Sequence, residues 1–134
     1  IKEFTVTPSN RKAPAPKADI TLTLSDYALE FSKPLSAGKH IVAVTNTGKQ
    51  PHEFFFAKLV PGKTPMDMAM FAENPQGAPP GMPMGGITDI LPGATVYLEI
   101  DVPAGEYGFM CFTPDAKDGK PHLAHGMIKQ VSVK

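Results

Sequence analysis

Residues 20–31 read ITLTLSDYALEF. In the first half Ile20, Leu22 and Leu24 alternate with Thr21 and Thr23, so the apolar side chains of an extended chain fall on one face and the hydroxyls on the other. Ser25 and Asp26 interrupt the run, and Tyr27, Leu29 and Phe31 then resume the alternation with their side chains inward, until Pro34 ends it. Two half-buried strands are predicted, and similar segments recur along the rest of the chain.

HIVAVTN (40–46) is nearly continuous apolar, as a strand covered on both faces would be, and Thr47-Gly48 supplies the turn after it. HEFFFAKLV (52–60) is stopped by Pro61-Gly62. TVYLEIDV (95–102) places Val96, Leu98 and Ile100 on one face, and Pro103-Ala104-Gly105 turns the chain into EYGFMCF (106–112). Residues 126–133 close the domain, with an apolar pattern that shifts phase between Ile128 and Val131 and so predicts a bulge. Thr64-Pro65-Met66-Asp67 has the form of a helix start, with Thr as N-cap, Pro at the first helical position and Asp at the third. It predicts one short helix over 65–73, before Asn74-Pro75. The segment NPQGAPPGMPMGG (74–86) is expected to be a loop.

About seven or eight short strands with turn signals at this spacing describe an all-β Greek-key sandwich with one short helix, spanning residues 19–134. The 15 prolines and 12 glycines agree with many turns and few long helices. Before it, residues 1–18 lose their alternation after Val6 and become rich in Pro, Ala and Lys, which reads as an arm or tether. Two alternatives stand beside that reading. One is a stalk to a removed membrane anchor, and the other is a frayed terminus with one extra strand at Glu3–Thr7.

The 134 residues carry 13 basic and 13 acidic side chains, so no global field draws the chain to nucleic acid or to an anionic membrane. Its apolar runs fall far short of the roughly 20 residues needed to cross a bilayer. A secretory signal is not visible either, so if the protein is exported this is expected to be its mature or trimmed form. A single cysteine forms no internal disulfide, and in an oxidising compartment it is a liability unless something occupies its sulfur.

That cysteine does not stand alone. His52 opens one predicted strand, Cys111 ends another, and His122, His125 and Met127 lie between that strand and the last. Strand ends on one side of a sandwich converge although they are distant in sequence. Taken singly, Cys111 reads as a small buried hydrophobe, His52 as a satisfied strand-end histidine and Met127 as a core methionine. Taken together, a thiolate, imidazoles and a thioether suit copper in both oxidation states. Zinc more usually takes a closed set of Cys and His, and calcium or magnesium want oxygens.

In this order, NTGKQPHEF (46–54), YGFMCFTP (107–114) and PHLAHGM (121–127) resemble the three copper-site segments of plastocyanin-like cupredoxins. In that family an Asn leads into the first ligand His, the Cys closes the penultimate strand, and a Pro-His precedes a Met five residues further on. The resemblance covers most of the chain. It implies a small Greek-key β-sandwich that holds one copper ion at His52, Cys111, His122 and Met127 and shuttles single electrons between larger redox proteins. It also implies an extracytoplasmic, periplasmic setting and a monomer. Cys111 would be the dominant donor, His52 and His122 would complete a plane, and Met127 would tune the potential from the axial side. The C-terminal ligand His would reach solvent as the electron's exit, with Pro79, Pro80, Met82 and Leu123 as candidates for an apolar ring around it.

One departure is plain. Ten residues, FTPDAKDGKP, separate Cys111 from His122 where plastocyanin-like proteins place two. Asp118-Gly119 offers a tight turn that returns the chain. His125, two positions before Met127, is an alternative second imidazole if Gly126 turns tightly enough, and otherwise a residue near the site. With all four donors supplied by the protein, a carrier is expected and not an enzyme. The single Cys excludes a two-cysteine dinuclear centre, and the short chain without a His-Cys-His segment disfavours a multicopper oxidase. Two rivals remain: copper transport or storage, and a site reactive toward small molecules. Met66, Met68, Met70, Met82 and Met84 bear on the first. Met66 and Met70, one helical turn apart, are expected to pack on the sandwich, whereas Met82 and Met84 are candidates to rim the site or a docking surface.

Overall fold

Alternation and turn chemistry build two sheets around one core. A computed structural model describes residues 3–5, 7, 8 and 13–134. Its elements run β1 (Ile20–Ser25), β2 (Ala28–Phe31), β3 (Gly38–Asn46), β4 (His52–Leu59), α1 (Pro65–Glu73), β5 (Gly81–Ile90), β6 (Thr95–Val102), β7 (Gly105–Met110) and β8 (Ile128–Val133), with one 3-10 turn at His122–His125. One sheet has the order β2-β1-β3-β6, where β1 runs parallel to β3 and the other pairs are antiparallel. The other has the order β5-β4-β7-β8 and is antiparallel throughout. The described residues form an all-β sandwich of eight strands with one short α-helix.

The core lies between the sheets. Ile20, Leu22 and Leu24 of β1 and Val42 and Val44 of β3 face Phe54, Phe56 and Phe109 of the opposite sheet, and all are buried. The three phenylalanine rings stack nearly parallel, with centroids 5.3 to 5.6 Å apart. Burying each such ring stabilises the fold by roughly 1.5–3 kcal/mol. A second apolar cluster covers the outer face of the β5-β4-β7-β8 sheet, where Met68 and Ala69 of α1 pack on Ala57, Leu59, Met110 and Leu123. The helix is as the sequence predicts, Pro65–Glu73, with Thr64 and Asp67 completing a capping box.

Four expectations are corrected. Tyr27 is not a strand residue; it lies in the turn between β1 and β2 with φ 71°. In β3 only His40, Val42, Val44 and Asn46 are buried, while Ile41, Ala43 and Thr45 are half-buried, because its second face lacks a covering layer. Residues 81–86, expected as loop, belong to β5 and pair with β4. β5 is an edge strand, where Pro83 costs no ladder bond toward a neighbour, and two register shifts against β4 absorb its irregular backbone.

No bulge interrupts β8, whose register with β7 is continuous from Gly105↔Val133 to Met110↔Ile128. The phase shift there has another cause. Val131 and Val133 face the inter-sheet core while Ile128 faces the cluster under α1, so both faces of the strand carry apolar residues.

Glu3, Phe4, Thr5 and Thr7 are exposed and in no strand, and Val6 lies outside the described residues. Among the described residues no helix is long and apolar enough to cross a membrane.

Candidate metal centre

Three strand-end segments meet at one end of the sandwich. His52 is the first residue of β4, Cys111 directly follows β7, and His122 opens the 3-10 turn. Each offers one donor atom, and these atoms lie within 4.8 Å of one another. His52 Nδ1 is 3.0 Å from His122 Nδ1, which is 3.5 Å from Cys111 Sγ. All three side chains are fully buried. Backbone bonds hold the group together: Cys111 N–H donates to Met127 O at 3.1 Å, Leu123 N–H to Cys111 O at 2.8 Å, and Met127 N–H to His122 O at 3.1 Å.

The long segment between Cys111 and His122 folds back on itself. His122 N–H donates to Thr113 O at 2.9 Å, Pro114 bridges Pro121, and Asp115 N–H donates to Lys120 O at 2.8 Å. Gly119, with φ 72°, takes the left-handed conformation that the turn requires. The ten intervening residues therefore form a closed hairpin that returns His122 beside Cys111.

Before His52 the chain is locked by Asn46. Its buried amide donates to Gln50 O at 2.8 Å and Ile90 O at 2.7 Å, and its carbonyl oxygen accepts from Gly48 N–H at 2.8 Å. Gln50 then reaches the Cys-to-His loop, donating to Asp115 Oδ2 at 2.9 Å and accepting from Ala116 N–H at 2.7 Å. Gly48 must be glycine, because a Cβ there would lie 2.3 Å from Asp26 Oδ1 and 2.7 Å from His52 Nε2.

Burial works against charge at His122 and at Cys111. Burial, reinforced by the neighbouring His52, pushes the His122 imidazole down. Burial pushes the Cys111 thiol up, against hydrogen bonds from Thr113 and from the Glu53 N–H, which lies 3.3 Å from Sγ. Asp115 is held well below the usual carboxylate range, first by the Tyr27 hydroxyl at 2.5 Å and then by Gln50. Two facing imidazole nitrogens share at most one proton, and a cation satisfies both lone pairs and the sulfur at once. His122 Nε2 is the one buried side-chain nitrogen or oxygen without a hydrogen-bond partner among the described residues, at 3.7 Å from Asp115 Oδ2. A soft-donor metal fits this set: two nitrogens, one sulfur, all buried.

No family model and no curated protein matches the chain. Solved structures do. An auracyanin from the photosynthetic bacterium Roseiflexus castenholzii is similar at 18% identity over 85% of this chain and 94% of its own, with a TM-score of 0.55. Auracyanin A, described as a "blue" copper protein from Chloroflexus aurantiacus, is similar at 20% identity over 85% of this chain and 99% of its own, TM-score 0.54. Rusticyanin from Thiobacillus ferrooxidans is similar at 18% identity over 85% of this chain and 76% of its own, TM-score 0.52. The chain has the cupredoxin fold.

Within the cupredoxin fold, Met127 is fully buried in the inter-sheet core that also contains Cys111, one position after Gly126 turns the chain with φ 108°. His125 lies outside the His52, Cys111 and His122 group. Its Nε2 is 3.1 Å from Asp118 Oδ1, and its ring lies 4.9 Å from that of Tyr27 at the surface. The expected solvent exit at His122 is corrected, since the side chain is fully buried with the Tyr27 ring 5.6 Å away. The expected apolar ring does not surround it. Leu123 is buried in the cluster under α1 and Pro80 is buried, while Pro79 and Met82 line a groove of about 940 Å³ with Glu53, Phe71 and Phe112.

The methionines also divide differently. The buried stripe of α1 is Pro65, Met68 and Ala69, so Met66 and Met70 fall on the opposite face, 46% and 63% exposed. Met82 is exposed, and Met84 packs on the inter-sheet core. Sequence reasoning missed Asp26, Gln50, Glu53 and Asp115. Each touches the site through a polar contact that depends on chain crossings, for which a single sequence carries no spacing signal.

Proposed function

We propose that this protein carries single electrons through one copper ion held by His52, Cys111 and His122, with Met127 as a weaker fourth donor. The observation that carries the reading is the convergence of two imidazole Nδ1 atoms and one cysteine sulfur in full burial. The similarity in fold to auracyanin A, named as a copper protein, supports it. Copper, when bound, supplies a one-electron Cu(I)/Cu(II) couple. The protein supplies rigidity: the three segments are tied to one another by backbone bonds and by Asn46 and Gln50, so the donors need move little when the charge changes. The full burial of His52, Cys111 and His122 favours a carrier over a site open to small molecules. The reading carries with it redox proteins as partners, an extracytoplasmic setting and a monomer.

A second reading, copper transport or storage, draws on the exposed thioethers of Met66, Met70 and Met82, which are donors for Cu(I). Addition of Cu(II) separates the two. An intense visible charge-transfer band that a mild reductant bleaches and an oxidant restores is expected for the carrier. A colourless protein that binds only Cu(I) would replace it with transport.

A further inference from the structure

The turn Asp26-Tyr27 is unusual in one respect. It consists of two residues between paired Ser25 and Ala28, and its second residue is a tyrosine at φ 71°, a conformation that turns ordinarily give to Gly or Asn. A bulky side chain kept there at a steric cost points to something that the side chain does.

Both residues of the turn reach behind the metal centre. Asp26 Oδ1 lies 3.0 Å from His52 Nε2, the ring nitrogen opposite the one that faces His122. Both oxygens of Asp26 accept from Lys49 N–H, at 3.0 and 3.1 Å, which fixes the carboxylate, and Gly48 leaves the space for the approach. The Tyr27 hydroxyl donates to Asp115 Oδ2, the oxygen 3.7 Å from His122 Nε2, and the Tyr27 ring stands edge-on to the His122 ring. His52 is thus backed by the Asp26 carboxylate through a hydrogen bond, and His122 by the ring of the next residue in the same turn.

We propose that the Asp26-Tyr27 turn is a single positioning device for both imidazoles, Asp26 keeping the Nε2–H tautomer on His52 by a direct hydrogen bond and the Tyr27 ring holding the His122 ring by edge-on packing, so that both rings turn Nδ1 toward Cys111. This rests on the copper reading. A carboxylate accepting the remote N–H of a ligand histidine makes the ring a stronger donor, and a stronger donor favours Cu(II) over Cu(I). Asp26 therefore holds the reduction potential down as well as holding the ring in place.

The test uses Asp26→Asn, Tyr27→Phe and Tyr27→Ala beside the unaltered protein. For Asp26→Asn, Cu(II) affinity by chelator competition is expected to fall about 10-fold or more, and further than Cu(I) affinity, so the potential rises. Tyr27→Phe keeps the ring and is expected to leave both affinities near the parent's, whereas Tyr27→Ala is expected to weaken both oxidation states together with a smaller change in potential. Unchanged affinities and potential in a folded Asp26→Asn protein would overturn the proposal. A second measurement reads positioning without copper: nitrogen NMR of the copper-free protein is expected to find His52 protonated on Nε2, and Asp26→Ala is expected to mix the tautomers. A His52 that carries its proton on Nδ1 before substitution would overturn the proposal even if copper binds. If the unaltered protein takes up no copper, the copper reading fails by itself, and the tautomer measurement still decides the role of the turn.

Discussion

Gln50 donates to Asp115 across 65 positions of chain, at 2.9 Å, and so ties the segment before His52 to the loop before His122. With the Ala116 N–H bond it is a two-point clamp. Gln50→Ala is expected to lower unfolding stability by about 1 to 2 kcal/mol, near the net worth of two hydrogen bonds, and to speed amide exchange at Ala116. Both are read on the copper-loaded protein, and protection at Ala116 equal to the parent's would show that the loop holds itself.

Cys111→Ser removes the sulfur but keeps a small acceptor for the Glu53 N–H. The visible band is expected to vanish while the copper-free protein stays folded, at a cost of about 1–3 kcal/mol for the buried hydroxyl. Retention of the band would take Cys111 out of the centre.

Met127→Leu preserves bulk in a buried position and removes a soft donor. The expected outcome is a retained colour with a raised reduction potential, measured by voltammetry. An identical potential would remove Met127 from the donor set, and loss of copper would make it indispensable to the site.

His122→Ala and His125→Ala distinguish the two candidate imidazoles. The first is expected to abolish the coloured species. The second is expected to leave it, because His125 sits on Asp118 at the surface. The reverse result would require the 114–121 hairpin to close differently around the metal.

His40 lies outside the centre and gives a pH signature of the fold alone. Its hydrogen bond to Asp19, 2.6 Å from Nδ1, raises the imidazole above its ordinary value, which is about 6.5. A raised folded value means the stabilisation is complete below the unfolded value and disappears as pH climbs through the folded one. Thermal midpoints of the copper-free protein are expected to decline over that window, and His40→Gln to flatten the decline. An equal slope in both proteins would assign the dependence to other groups.

The strands were legible because alternation survives wherever one face is buried: Ile20, Leu22 and Leu24 on β1 and the capped start of α1 needed nothing beyond local pattern. Tyr27 was misread because the apolar period continues through a turn that the backbone, not the pattern, creates. In β5 the expectation failed because its Pro and Gly content argues against a strand, and only an edge position makes such a strand tolerable. The convergence of His52, Cys111 and His122 was legible through ordered motifs. The carboxylates of Asp26 and Asp115 were not, since acidic residues in turns are common and only three-dimensional crossing brings these two behind imidazoles.

The burial of His122 under Tyr27 makes the centre an insulated one. Electron tunnelling falls off exponentially with distance, so a layer of side chains between donor and surface slows every collision that does not close the gap. On the proposed carrier role, two copies of this protein meeting at random would exchange electrons poorly with each other. In that role a partner would be selected by how closely it fits over the Tyr27 ring that covers His122. The balanced charge of the chain, 13 of each sign, offers little long-range steering to compete with that selection.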